Sequence, residues 1–276
     1  MTGPIIDRWY NLCAWSSILI PSGLFFFKCS GYLWENVSMW LPVLTGLLLL
    51  STIFFLLLTS CTDPGILPRR ELRVAVPGLE EEVVASVGTS CPISVDPVTS
   101  ELVCELTEQQ QVQGFRWCTT CMVVRPPRTS HCNDCNNCVM TFDHHCPFVA
   151  NCVGQRNYGY FSAFLVSTCC LGIAMVIGLA FYVSDYTESS HGHLSFSSDP
   201  VLFVVLLAIA LPTVLLLLGV LGLTVFHAWL ACRGRTTKEV FGRHSPVVAG
   251  APLRSYVRGA SLVHARSRVS FPSTVV

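Results

Sequence analysis

The chain has 276 residues, of which 51% are hydrophobic and only 12% charged, and its mean hydropathy is +0.55. Soluble domains carry about twice that charged fraction, so composition argues against a soluble enzyme and against a disordered chain, and for a membrane protein. Seventeen basic and seventeen acidic residues cancel, which removes the electrostatic case for a nucleic-acid partner.

A bilayer is crossed by about 20 apolar residues in a helix. Four stretches meet that length, near 10–28, 39–60, 160–183 and 200–231, so the chain is expected to be an all-α polytopic membrane protein. The first stretch carries Asn11, Pro21 and Lys28. It lacks the basic start and small-residue cleavage site of a signal peptide and is read as an anchor. Residues 1–61 hold the first two spans and 160–232 the last two. The sequon at Asn36 falls in a short loop, too close to the membrane surface to be glycosylated.

The segment 62–114 sustains neither a helical nor a strand period and reads as a turn followed by a flexible spacer. Sixteen of the seventeen basic residues lie in the amino end, in residues 61–159 or after Cys232. Thirteen acidic residues accompany them, whereas the two opposite loops hold Lys28 against Glu35, Asp185, Glu188 and Asp199. The positive-inside bias therefore places both termini and the long central loop in the cytosol, where thiols stay reduced and disulfides are not expected.

Within that loop, 115–159 reads Cys118-x2-Cys121-x9-His131-Cys132-x2-Cys135-x2-Cys138-x4-Asp143-His144-His145-Cys146-x5-Cys152. Two Cys-x-x-Cys knuckles followed by more ligands signal zinc, since a structural site closes with four Cys or His. Ten candidate ligands are present and two tetrahedra consume eight. A spare cysteine beside a spare histidine is what covalent catalysis needs, a thiolate nucleophile and the base that makes it. Asp143 supplies an orienting carboxylate. Spacing leaves open which histidine and which cysteine are spare.

Asp143-His144-His145-Cys146, in this cysteine frame and between the second and third of four spans, closely resembles the DHHC family of protein S-acyltransferases. Thr62-Asp63-Pro64-Gly65, Asn157-x3-Phe161 and Thr236-Thr237-Lys238-Glu239 agree, so the likeness runs from the first span to about Glu239. It implies a cytosolic two-zinc domain, with one zinc on Cys118, Cys121, His131 and Cys138 and the other on Cys132, Cys135, His145 and Cys152. Cys146 is then the nucleophile, His144 the base and Asp143 its partner. The implied activity moves a long-chain acyl group, palmitoyl above all, from acyl-coenzyme A through a Cys146 thioester to cysteines of membrane-associated proteins. A catalytically silent zinc-stabilised membrane adaptor is the alternative, against which intact Asp143, His144 and Cys146 argue. The resemblance also leaves room for an accessory subunit. It favours an endomembrane, Golgi or endoplasmic reticulum, over the plasma membrane.

This sequence departs from the family pattern in Phe148, where most members carry Trp, and in Ala150, where Asn or Gly is commoner. Phe148 still offers an apolar ring to the start of an acyl chain. No match is found beyond Glu239 to an element that packs on the catalytic domain in relatives, so the tail within 233–276 reads as divergent past Phe241. Arg125, Arg128 and Arg156 are the candidates to grip coenzyme A phosphates. Asp63 is expected to meet the Thr236-Thr237 pair. Thr237 is expected to make polar contacts near the site, Asn157 a structural hydrogen bond, and Cys169 and Cys170 to pack. The third span descends about 1.5 Å per residue from Tyr160, which puts Leu171 roughly one palmitoyl chain deep as the stop of an acyl tunnel.

Overall fold

The computed structural model describes residues 3–87, 93–189 and 200–242. Most of the tail expected to diverge, 243–276, and the loop 190–199 lie outside the described residues. In chain order, α1 (Gly3–Asn36) and α2 (Trp40–Cys61) precede β1 (Ile66–Leu67), α3 (Arg70–Ala75), α4 (Leu79–Val87), β2 (Ile93–Val95), β3 (Leu102–Cys104) and α5 (Glu108–Val112). Strands β4 (Arg116–Cys118), β5 (Val123–Arg125), β6 (Ser130–Cys132), β7 (Asn137–Val139), β8 (His144–Cys146) and β9 (Asn151–Val153) follow, with a 3-10 turn over Pro147–Val149. The chain then runs through α6 (Tyr158–Ser189), α7 (Pro200–Val205), a π-helical turn (Leu206–Ala210), α8 (Leu211–Arg233) and α9 (Thr237–Phe241).

Among the described residues, four helices are long and apolar enough to span a membrane: Ile6–Asn36, Trp40–Cys61, Tyr158–Glu188 and Leu207–Arg233. This is the architecture of a multi-pass membrane protein, with the cysteine-rich region between the second and third spans. The residues fall into two compact units, one of 3–62, 146–151 and 159–229 and the other of 63–145, 152–158 and 230–242.

The first unit is the helical one. With no water in hydrocarbon, each polar group needs a partner inside the protein. On α2 the buried Thr45, Thr52 and Thr59 recur every seventh residue, and their hydroxyls donate to the carbonyls of Leu41, Leu48 and Phe55 one turn back. The opposite face exposes Leu47, Leu50, Phe54 and Leu57. Close helix approach relies on small residues. At Gly178 of α6, a Cβ would come within 2.8 Å of Phe25 and 3.0 Å of Leu33 on α1, and at Gly172 within 3.1 Å of Leu217 on α8. The fourth apolar stretch is not uniformly α-helical, since α7 passes through a π-helical turn into α8. Pro212 has no N–H for the carbonyl four residues back, and the π turn lies just before it. Asn151, which the sequence did not single out, donates its amide to the carbonyls of Thr59, Ser60 and Thr62 and satisfies the open end of α2.

The second unit is a set of small antiparallel ribbons. β4 pairs with β5, and β7 lies between β1 and β6, with Leu67 opposite Cys138 and Cys138 opposite His131. Each knuckle closes with a left-handed residue just past its second cysteine, Met122 after Cys121 (φ 52°) and Asn136 after Cys135 (φ 52°). The segment read as a featureless spacer carries α3 to α5 and the β2–β3 ribbon. None of these exceeds nine residues, too short for a periodic signal to accumulate. Cys104 on β3 is disulfide-bonded, contrary to the expectation of reduced thiols throughout the loop; it lies outside the cysteine and histidine pattern of 118–152.

Asp63 organises the turn after α2. Its Oδ1 accepts the N–H groups of Gly65 and Ile66, both at 2.8 Å, and Oδ2 pairs with Arg156. The expected contact of Asp63 with Thr236-Thr237 is replaced by these partners. Gly154 closes the same corner: a Cβ there would stand 2.6 Å from Val139 Cγ1 and 2.7 Å from the Pro64 carbonyl. Gly154→Ala should therefore cost about 2 kcal/mol by overpacking, lowering the thermal midpoint in detergent. Gly159→Ala, with nothing within 4 Å of the new atom, should leave it unchanged. Equal midpoints for the two variants would contradict the packing described.

Candidate active site and metal centres

Alternation along a strand sends successive side chains to opposite faces. On β6 this sends His131 to one ligand cluster and Cys132 to another. Cys118, Cys121, His131 and Cys138 place their donor atoms within 4.8 Å of one another, and so do Cys132, Cys135, His145 and Cys152. In the first cluster His131 Nδ1 lies 3.3 Å from Cys121 Sγ and 3.8 Å from both Cys118 and Cys138 Sγ. In the second, His145 Nδ1 lies 3.4 Å from Cys135 Sγ and 3.6 Å from Cys152 Sγ, with the two sulfurs 3.4 Å apart. A tetrahedron with Zn–S near 2.3 Å and Zn–N near 2.0 Å has edges of roughly 3.5–3.8 Å. Both donor sets fit zinc.

Electrostatics agree with the geometry. Burial pushes the Cys138 thiol up, reinforced by Cys121 and Cys118 beside it. In the second cluster, hydrogen bonds to Cys135 and Cys152 hold Cys132 down, while bonds to Cys132 and Cys135 push His145 up to about 11.

Directly beside the second cluster, Asp143 is 1% exposed. Its Oδ1 accepts hydrogen bonds from His144 Nδ1 and from the Thr237 hydroxyl, both at 2.7 Å, and its Oδ2 accepts the Thr237 N–H at 3.0 Å. Burial raises the carboxyl, but the bond and charge of His144 and the Thr237 donors outweigh it and hold Asp143 below the usual carboxylate range. A proton fixed on Nδ1 makes Nε2 the basic nitrogen of His144. Thr237 thus makes the polar contacts expected of it, and its partner is Asp143. Asn157, fully buried, accepts the Gly154 N–H at 2.9 Å and donates to the Cys152 carbonyl at 2.8 Å, a structural hydrogen bond at a zinc ligand.

Cys146 is 9% exposed and opens the 3-10 turn. Phe148 on that turn packs edge-on against Tyr10 of α1, ring centroids 5.4 Å apart, and its carbonyl accepts the Asn11 amide at 2.8 Å. Ala150 ends the turn at φ 51°, the left-handed conformation in which Asn or Gly is less strained. Leu171 is buried and lines, with Ile18, Pro21, Met175 and Leu217, a cleft with only about 20 Å³ of open room. Cys169 approaches the Thr224 hydroxyl at 3.3 Å, while Cys170 is exposed. The three arginines have protein partners: Arg128 the Glu239 carboxylate, Arg156 Asp63, and Arg125 the Trp117 carbonyl at 3.3 Å. The Arg128–Glu239 pair is separated by 111 positions. No sequence signal joins them, although Thr236-x-x-Glu239 is a legible capping box and folds as one.

Among the described residues, four membrane-length helices, two Cys3His clusters and a buried Asp143 bonded to a partly exposed His144 define a polytopic membrane protein of the cysteine-rich, zinc-binding class. Residues 111–243 match the family described as DHHC palmitoyltransferase. Among similar proteins, palmitoyltransferase ZDHHC18-B of Danio rerio is 39% identical over 227 residues, covering 80% of this chain and 55% of that one. Palmitoyltransferase ZDHHC14 of Mus musculus is 38% identical over 226 residues, 80% of this chain and 44% of that one. Palmitoyltransferase erf2 of Emericella nidulans is 29% identical over 267 residues, 91% of this chain and 42% of that one. The chain belongs to the DHHC palmitoyltransferase family, and it spans about half the length of these relatives.

Removing a ligand from a closed tetrahedron removes folding free energy, on the order of 10 kcal/mol for a structural zinc. Cys118→Ser, Cys135→Ser and His145→Ala should each lower bound zinc below two per chain by elemental analysis. His144→Ala should keep both. Exchange of the two histidine phenotypes would reverse the assignment.

Proposed function

We propose that the chain is a protein S-acyltransferase that carries a long-chain acyl group, palmitoyl above all, from acyl-coenzyme A through Cys146 to cysteines of membrane-associated proteins. The observation that carries this reading is the Asp143–His144 pair, with Nδ1 bound at 2.7 Å, two residues before an unassigned cysteine. Period-two alternation along β8 supports it, since residues 144 and 146 then share a side of the strand and 145 takes the other.

In the first step His144 Nε2 takes the Cys146 thiol proton and the thiolate attacks the acyl thioester carbonyl. The C–S bond to coenzyme A breaks, and its sulfur leaves with the proton held by His144. In the second step His144 takes the proton of a substrate cysteine, whose thiolate attacks the Cys146 thioester. Cys146 leaves as a thiolate and regains that proton. Asp143 stays ionised and stabilises the imidazolium in both steps. Zinc, where bound, shapes the ribbons; all four of its positions at each site are protein ligands, so it offers no open position to a substrate. The charge asymmetry supports a cytosolic cysteine-rich region and cytosolic termini. Coenzyme A phosphates are left to Arg125 foremost, since Arg128 and Arg156 are already paired with carboxylates.

Cys146→Ser should abolish hydroxylamine-sensitive acyl transfer while zinc and expression persist, because Cys146 lies outside both clusters. Two bound zincs in a wild-type chain that never acquires an acyl group would favour the adaptor.

The burial of Leu171 among residues of α1, α6 and α8 supports its place at the end of an acyl chain descending between these helices. Leu171→Ala should shift preference toward longer acyl-coenzyme A and Leu171→Trp toward shorter, read by competition among C14 to C20 donors. The same profile in both variants would take Leu171 out of the chain's path.

A further inference from the structure

Arg128 sits in the left-handed region at φ 67°, a conformation an arginine adopts only at a cost of about 1 kcal/mol unless its surroundings demand it. Two sets of contacts do. Its carbonyl accepts the N–H of Phe142 at 3.0 Å, which fixes the residue before Asp143. Its guanidinium forks onto Glu239, Nε to Oε1 at 2.6 Å and Nη2 to Oε2 at 3.0 Å, and Nη2 also donates to the Gly234 carbonyl at 3.0 Å. Both partners of the ion pair are about 85% buried, at 14% and 15% side-chain exposure, where such bidentate bonds are strongest. Glu239 in turn accepts the Thr236 N–H at 2.8 Å and, with the Thr236 hydroxyl, closes the capping box of α9. That box presents the next residue, Thr237, whose N–H and hydroxyl both bind Asp143.

We infer that Arg128 is a positioning residue for the acyl transfer proposed above: one side chain and its own backbone register the Thr237 donors on Asp143, and so the orientation of His144. The inference rests on the acyltransferase reading, and it takes Arg128 away from coenzyme A. A phosphate-gripping arginine acts on donor affinity. A positioning arginine acts on the rate after the donor is bound. A five-residue helix has little stability of its own, so the fork on Glu239, beside the Thr237–Asp143 bonds, helps to keep α9 in register.

The test uses the full chain in detergent with palmitoyl-coenzyme A. Single-turnover loading is followed as hydroxylamine-sensitive label, beside bound zinc and amide exchange at Thr237. Arg128→Gln and Glu239→Gln should each keep two zincs and an unchanged half-saturating donor concentration. Their maximal loading rate should fall roughly ten- to hundredfold, the scale of a lost charge-assisted hydrogen bond, and Thr237 should exchange faster. Arg128→Lys should recover part of the rate, and the double variant should be no slower than the worse single one, as for two members of one unit. A raised half-saturating concentration at an unchanged maximal rate would return Arg128 to the phosphates and overturn the inference. Wild-type loading and exchange in the variants would also overturn it, as would zinc loss in both Arg128→Gln and Glu239→Gln, which would make the pair a folding element. A wild-type chain that does not load removes the acyltransferase reading itself, and unchanged Thr237 exchange in its variants would then remove the clamp as well.

Discussion

Six cysteine sulfurs gathered in two clusters cannot all be buried as thiolates without a cation, because the desolvation and mutual repulsion of the charges have nothing to offset them. The rest of the second unit depends on that constraint. Two tetrahedra cross-link ribbons whose strands are three residues long, far too short to be stable by themselves. The ligands also fix register: Cys138 on the central strand of its sheet faces both His131 and Leu67, so the turn after α2 is tied into the metal scaffold through β1.

What the metal clusters leave over is chemically the more informative. Asp143 is buried, yet it receives three hydrogen bonds and remains a carboxylate. A buried charge so thoroughly satisfied is expensive to assemble and is kept where it orients something. His144 is that something. Thr237, supplied from beyond the fourth span, completes the set, and its placement depends in turn on the fork between Arg128 and Glu239.

Hydropathy is enough to find the four spans, because lipid demands long unbroken apolar runs, and ligand spacing is enough to signal two metal sites among ten candidate ligands, without dividing the ligands between them. The choice between His144 and His145 was not in the spacing; it needed either the family resemblance or the strand alternation that the structure supplies. The π turn before Pro212 was hidden inside an uninterrupted apolar stretch. Asn151 looked like any polar loop residue until its amide was seen on three carbonyls at the end of α2. Asp63 caps its own turn and pairs with Arg156 rather than with the Thr236-Thr237 pair that the resemblance implies; no local sequence signal joins residues 93 positions apart. The Arg128–Glu239 pair was illegible for the same reason, and Arg128 was read instead by its charge alone.

The central claim is that eight of ten clustered ligands hold metal so that Cys146 and His144 are left for chemistry. Native mass spectrometry of the purified chain after incubation with palmitoyl-coenzyme A measures both halves at once. The account predicts two zinc ions and one acyl group on the same molecule, with fragmentation placing the acyl group on Cys146. Two zincs with the acyl group on another cysteine, or an acylated Cys146 on a chain lacking metal at Cys132, Cys135, His145 and Cys152, would contradict it.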